Sequence, residues 1–202
     1  MIRNLVAAIL VTVSAGTALA GPAGDAVFAD RGPWSLGGDD LHWSLQIEGP
    51  EAPGFVPVGD GSLTLTETVD PSDQQPVLRL IQQADGQTRQ IGPFPVSGGD
   101  PVLTFFLEQV ARDMARLTGG SPDYIRNRMK DALFRGGEIE QQDAATVARF
   151  VPFAGDANAA RMRGFDTLTL SFVMDDPRRP IRALCAETQG TQPAYAARLD
   201  LQ

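Results

Sequence analysis

Residues 100–137 read DPVLTFFLEQVARDMARLTGGSPDYIRNRMKDALFRGG, the one stretch of the chain with strong helical periodicity. Asp100 is placed to cap a helix, because a carboxylate accepts from the free backbone N–H groups of a first turn. Pro101 suits the first helical position, where its missing N–H costs nothing. At about 100° per residue, Leu103, Phe106, Leu107, Val110, Met114 and Leu117 fall within an arc of roughly 100°, the width of a core-facing stripe. Thr104, Glu108, Gln109, Arg112 and Arg116 fall on the other side. Gly119 and Gly120 stop the helix by accepting left-handed backbone. Ser121 and Pro122 start a second helix, with Ile125, Met129, Ala132 and Leu133 as its stripe, and Gly136-Gly137 ends it. So short a joint predicts an antiparallel αα-hairpin at about 101–135.

Outward from the hairpin the sequence turns to strands. On the N-terminal side, residues 21–40 are rich in Gly, Asp and Pro, with Val27, Phe28 and Trp34 as anchors, and read as a loose entry with one short strand. Leu41, Trp43, Leu45 and Ile47 alternate with polar residues, the pattern of a half-buried strand. Leu63, Leu65 and Val69 alternate with threonines, which favour extended backbone. Val77–Gln82 is apolar on both faces, which predicts a central strand. Asp85-Gly86 is a two-residue hairpin turn, and Gln87–Ile91 returns from it. Gly92–Gly99 leads into the helices, with Phe94 as a plug. On the C-terminal side, Glu138–Ala145 reads as a polar surface loop and Thr146–Phe153 as a strand. The segment 155–164 is a short helix or a loop. Leu168, Leu170, Phe172 and Met174 alternate with Thr167, Thr169 and Ser171. Ile181–Glu187 follows, with Cys185 on the face of Ile181 and Ala183. Tyr195, Ala197, Leu199 and Leu201 alternate in the last strand. Two meanders of neighbouring strands imply antiparallel pairing, and faces that alternate apolar and polar imply a sheet covered on one side. The expected fold is α+β: a curved antiparallel sheet of about seven to nine strands, open or half-closed as a barrel, with the hairpin packed on its apolar face.

The first twenty residues stand apart. Arg3 supplies a positive start, Leu5–Val13 an apolar core and Ala18-Leu19-Ala20 a small-x-small cleavage site, the pattern of a secretory leader. The apolar core is short for a span of about 20 residues, so cleavage before Gly21 is expected rather than a retained anchor. Residues 21–202 then form one domain, exported to the periplasm or beyond. Removing Arg3 leaves sixteen basic and twenty-five acidic residues, a net charge of −9. That excludes a phosphate-backbone reader, whose affinity rests on Lys and Arg. The hairpin differs, with six basic and four acidic residues over 101–135. The block Ile91–Leu133, IGPFPVSGGDPVLTFFLEQVARDMARLTGGSPDYIRNRMKDAL, resembles a segment of small exported bacterial proteins of unknown function. The resemblance covers about a fifth of the chain. It implies export and no particular activity.

Catalytic chemistry is thinly represented. A Ser-His-Asp unit needs a histidine base, yet the one histidine, His42, sits on the polar side of its strand, and no Gly-x-Ser-x-Gly elbow occurs. One histidine and one cysteine are too few for a zinc site, no calcium-loop motif occurs, and no cofactor or metal is expected. Cys185 has no partner for an internal disulfide and is expected to be buried and inert. Gly119-Gly120-Ser121 at a helix start, with Arg126 and Arg128 beyond, forms a weak anion-binding pattern.

Three readings follow. The first is a non-catalytic carrier holding an apolar ligand between sheet and hairpin, against Leu103, Phe106, Leu107, Val110 and Met114. The second is an envelope interaction module that docks a partner on Phe105, Arg112, Arg116, Arg126, Lys130 and Phe134. Phe105 and Phe134 lie off the stripes, where packing under a neighbouring strand or loop is the plainer expectation. The third is a carboxylate-based hydrolase. A dry pocket under the stripe would favour the first. A solid core with an exposed off-stripe phenylalanine would favour the second.

Overall fold

The computed structural model describes residues 21–190 and 194–202, so the leader expected at 1–20 lies outside the described residues. Among the described residues, nine strands form one antiparallel sheet: β1 (Leu41–Glu48), β2 (Val58–Val69), β3 (Pro76–Ala84), β4 (Gln87–Pro95), β5 (Glu138–Gln142), β6 (Ala145–Phe150), β7 (Thr169–Met174), β8 (Ala183–Glu187) and β9 (Ala196–Leu201). Their order across the sheet is β4-β3-β2-β1-β9-β8-β7-β6-β5, so the sheet is open, with β4 and β5 as its edges. The two meanders meet along a single ladder, β1 with β9, running from Trp43 opposite Leu201 to Glu48 opposite Ala196. Helices α2 (Pro101–Thr118) and α3 (Pro122–Arg135) carry the chain from one edge to the other over the apolar face. A short helix, α1 (Pro22–Val27), precedes the sheet.

The strands follow their alternation. In β7, Leu170, Phe172 and Met174 are buried while Thr169, Ser171 and Val173 are half-buried. Trp43, Leu45 and Ile47 do the same for β1, and the indole N–H of Trp43 donates to Ile181 O at 3.2 Å. At the β3–β4 turn, Asp85 and Gly86 have φ of 50° and 73°, the left-handed pair that a tight two-residue hairpin requires. The α2 cap forms as expected. Asp100 accepts from Val102 N at 2.9 Å and Leu103 N at 3.0 Å, and Gly119 closes the helix at φ 73°. Ser121 accepts from Tyr124 N at the start of α3. Thr104 and Leu107 share a groove with Met129, Leu133 and Phe134, while Met114 and Thr118 lie near Ile125, so the two helices run antiparallel.

Several expectations need correction. The entry segment holds the helix α1 rather than a strand, because Ala23 and Val27 are buried where α1 meets α3 and β6. Glu138–Gln142 is not a loop but the edge strand β5. All five of its residues are exposed, so it carries no alternation, and its pairing with β6 makes it a strand. β3 is interior but not central, lying next to the edge strand β4, and only Leu78 and Leu80 of it are fully buried. Cys185 is half-buried rather than buried. Leu184 and Ala186 take the core side of β8, while Ile181 is buried from the bend before the strand, where alternation does not carry over. Phe105 is buried in the main core, because α2 buries an arc wider than its stripe, including Val102, Ala111 and Asp113.

Candidate functional site

The residues expected to line an apolar ligand divide into two groups. Phe106 and Val110 are 2% and 0% exposed, and the Phe106 ring meets Phe172 of β7 edge-on, with centroids 6.3 Å apart. Leu103 and Met114 are buried beside them. Exposure this low leaves no water-sized gap against these rings and methyls, so the stripe rests on filled core at its centre. Leu107 differs. It is half-buried and faces the side of α2 away from the sheet, where it meets Met129 and Leu133 of α3.

That outer side carries a groove of about 370 Å³ between α2 and α3. Leu107, Met129 and Leu133 form its floor. Phe28, just after α1, stacks on Phe134 at one end, with centroids 4.9 Å apart and planes 7° from parallel. The two rings are 39% and 42% exposed. The groove continues past Phe28, Thr104 and Leu107 into a second recess bounded by Val27, Arg31, Asp100 and Leu103. Behind that recess, the buried Arg31 donates to Val27 O at 2.8 Å and Arg179 O at 3.0 Å and lies 3.7 Å from Asp100. Burial pushes the Asp100 carboxyl up, against the pull of the two backbone N–H groups and Arg31.

The cations expected to meet a partner are scattered by the fold. Arg126 donates to Glu108 at 2.7 Å and to Asp123 at 3.0 Å, so it ties α3 to α2. Arg112 shares Glu108 at 2.8 Å, and the two guanidinium groups hold the Glu108 carboxyl below its usual value. Lys130 lines the groove, and its side chain forms no ion pair or hydrogen bond among the described residues. Arg116 faces a different cleft, on the sheet side of α2. Phe105, buried, is not available to a partner. Thus Leu107, Arg126, Lys130 and Phe134 come together, and the rest of the expected contact set does not. Sequence reasoning missed Phe28, whose only mark was being an apolar anchor in a Gly-rich, Asp-rich entry.

Other ionisable groups serve the fold. Asp113 of α2 is buried. It accepts from Gln109 at 2.9 and 3.0 Å and from the Tyr195 hydroxyl at 3.1 Å, pinning α2 to the start of β9, and its pKa is raised by burial. Asp156 accepts from Asn158 N at 2.8 Å and from the Tyr124 hydroxyl at 2.7 Å, which hold its pKa down. Arg128 Nε lies 2.8 Å from Asp156 without the alignment of a hydrogen bond, so that contact is ionic. With Arg126 and Arg128 both engaged and Asp123 in the first turn, the start of α3 lacks the cations the anion-binding pattern needed. His42 pairs with Thr64 at 3.0 Å on the polar face of the sheet. Burial raises the Cys185 thiol, which disfavours the reactive thiolate. Among the described residues, no group of three or more His, Cys, Asp or Glu is placed to hold a metal, and no helix is long and apolar enough to cross a membrane. No family model matches the chain, and no curated protein is significantly similar to it.

Proposed function

We propose that this chain is a non-catalytic exported protein that recruits another envelope protein through the groove on the outer side of its helical hairpin. The observation that carries the reading is the stacked Phe28–Phe134 pair, half-open to solvent at the end of an apolar floor. Large aromatics beside an apolar recess are the groups protein interfaces use as anchors. The unpaired Lys130 on the groove wall, in a hairpin that is net basic within a chain of charge −8, favours a partner with an apolar side chain flanked by carboxylates. The carrier reading placed its ligand against Phe106 and Val110, where packing is tight, so the outer groove is the better supported place. Export rests on the Arg3, apolar core and Ala18-Leu19-Ala20 pattern, with the mature chain starting at Gly21.

The test is site-specific photocrosslinking in the producing cells. A benzophenone side chain at Phe134 is expected to give one discrete protein adduct. Leu107→Arg, with its fold checked by circular dichroism, abolishes the adduct, and the same probe at the exposed Val69 gives none. No adduct, or an adduct that survives Leu107→Arg, refutes the proposal.

A further inference from the structure

One corner of the sheet face beneath the helices is polar over an extended area. In β3 that face carries the buried Leu78 and Leu80, and alternation places Gln82 and Ala84 on it as well. The β3–β4 register extends the face to β4, where Leu80 lies opposite Ile91, Gln82 opposite Arg89 and Ala84 opposite Gln87. Towards the hairpin tip the leucines therefore give way to Gln82, Gln87 and Arg89. α2 turns polar residues to the same place. Gln109 and Arg116 face this corner across a cleft of about 480 Å³, whose apolar lining includes Val56, Val58 and Ala84. That volume lies within the roughly 300–1,000 Å³ of small-molecule sites.

The charges of the cleft are not balanced from within. The Arg89 side chain forms no ion pair or hydrogen bond among the described residues. Arg116 lies 3.5 Å from Asp113, but that carboxylate already accepts from Gln109 and from the Tyr195 hydroxyl. The same contact holds the Gln109 amide in place from behind. Asp85, in the hairpin turn, is the acid that lines the cleft. Two arginines thus line one cleft together with three glutamines and an apolar patch. A guanidinium matches a carboxylate in shape as well as charge. We infer that the cleft between α2 and the β3–β4 tip binds a small organic carboxylate with an apolar body, its head on Arg89 and Arg116 and its body on Val56, Val58 and Ala84. The site lies on a different flank of α2 from the hairpin groove and does not depend on it.

The test is a side-chain NMR titration at pH 7, following the arginine Nε–H and glutamine amide signals. The probes are hexanoate, hexan-1-ol, hexylammonium and inorganic phosphate. Hexanoate is expected to give saturable shifts at Arg89, Arg116 and Gln109. Binding should weaken at least about tenfold in Arg89→Gln and for hexan-1-ol, the loss expected when a charged hydrogen bond goes. Arg89 is exposed on an edge strand, so Arg89→Gln should melt as the parent does, and Arg116→Gln provides a second variant. Absent or unsaturable shifts, equal affinity for hexan-1-ol or hexylammonium, or no weakening in either variant overturns the site. Phosphate binding as tightly as hexanoate overturns the assignment of its ligand class.

Discussion

Truncating Phe106 to alanine measures whether the hairpin rests on filled core. Its ring is 2% exposed and meets Phe172 at 6.3 Å, edge to face. Phe172 in turn meets Phe150 of β6 at 5.9 Å. Both neighbours stand on adjacent sheet strands whose ladder runs from Thr146 opposite Met174 to Phe150 opposite Leu170, so neither can shift far to close a void. The loss should therefore lie at the upper end of the usual range for a buried phenylalanine, about 4–5 kcal/mol. About 1 kcal/mol of that is the edge-to-face contact. Against a total stability of about 5–15 kcal/mol this is a large fraction. With a urea m-value of about 2 kcal/mol/M, the midpoint should fall by roughly 2 M at unchanged slope. A loss below about 1.5 kcal/mol would mean that the ring borders empty space, and would return the carrier reading to favour.

Two glycines and one buried acid give further tests. Alanine at Gly119 meets open space and bears only the left-handed backbone at φ 73°, a cost of about 1 kcal/mol. At Gly137, φ 92°, a Cβ would lie 2.3 Å from the Phe150 ring and 3.0 Å from Ala23, so alanine should cost more than about 3 kcal/mol; equal urea midpoints for the two variants would sink this contrast. Burial raises the Asp113 pKa above its ordinary 3.8, so the stability it contributes is full below that value and is lost as pH rises through the raised one. Asp113→Asn stays neutral and should gain on the parent from about pH 4 upward through the weakly acid range. A difference in unfolding free energy that does not change with pH would show that burial does not raise the Asp113 pKa.

The hairpin is legible in sequence because its determinants are local: Asp100 and Pro101 begin α2, Gly119 ends it, and Ser121 begins α3 within the next turn. Strand β7 is legible because threonine and serine mark one face and Leu170, Phe172 and Met174 the other. Helix α1 is not, since six residues do not hold a helix alone and Ala23 and Val27 become helical by docking. Strand β5 is opaque for a related reason: an edge strand exposed on both faces has no period, and its identity lies in its partner. The groove escapes sequence reading because Phe28 and Phe134 stack from more than a hundred residues apart. The polar corner is half-legible. The Asp85-Gly86 turn sets the register of Gln82 and Arg89, but only the burial of Leu78 and Leu80 shows which face they share, and Gln109 and Arg116 arrive from another element.

The single ladder between β1 and β9 has a consequence for assembly. A chain that emerges N-terminus first can build β1–β4 early, yet β1 keeps one unpaired side until residue 196 and those after it arrive. For that interval β1, with Trp43, Leu45 and Ile47 along its apolar side, is a temporary outer strand and a template for unwanted pairing. The joining of the halves closes a loop of nearly the whole domain, the kind of contact that makes folding slow. The β1–β9 seam is therefore the step at which the sheet becomes one object.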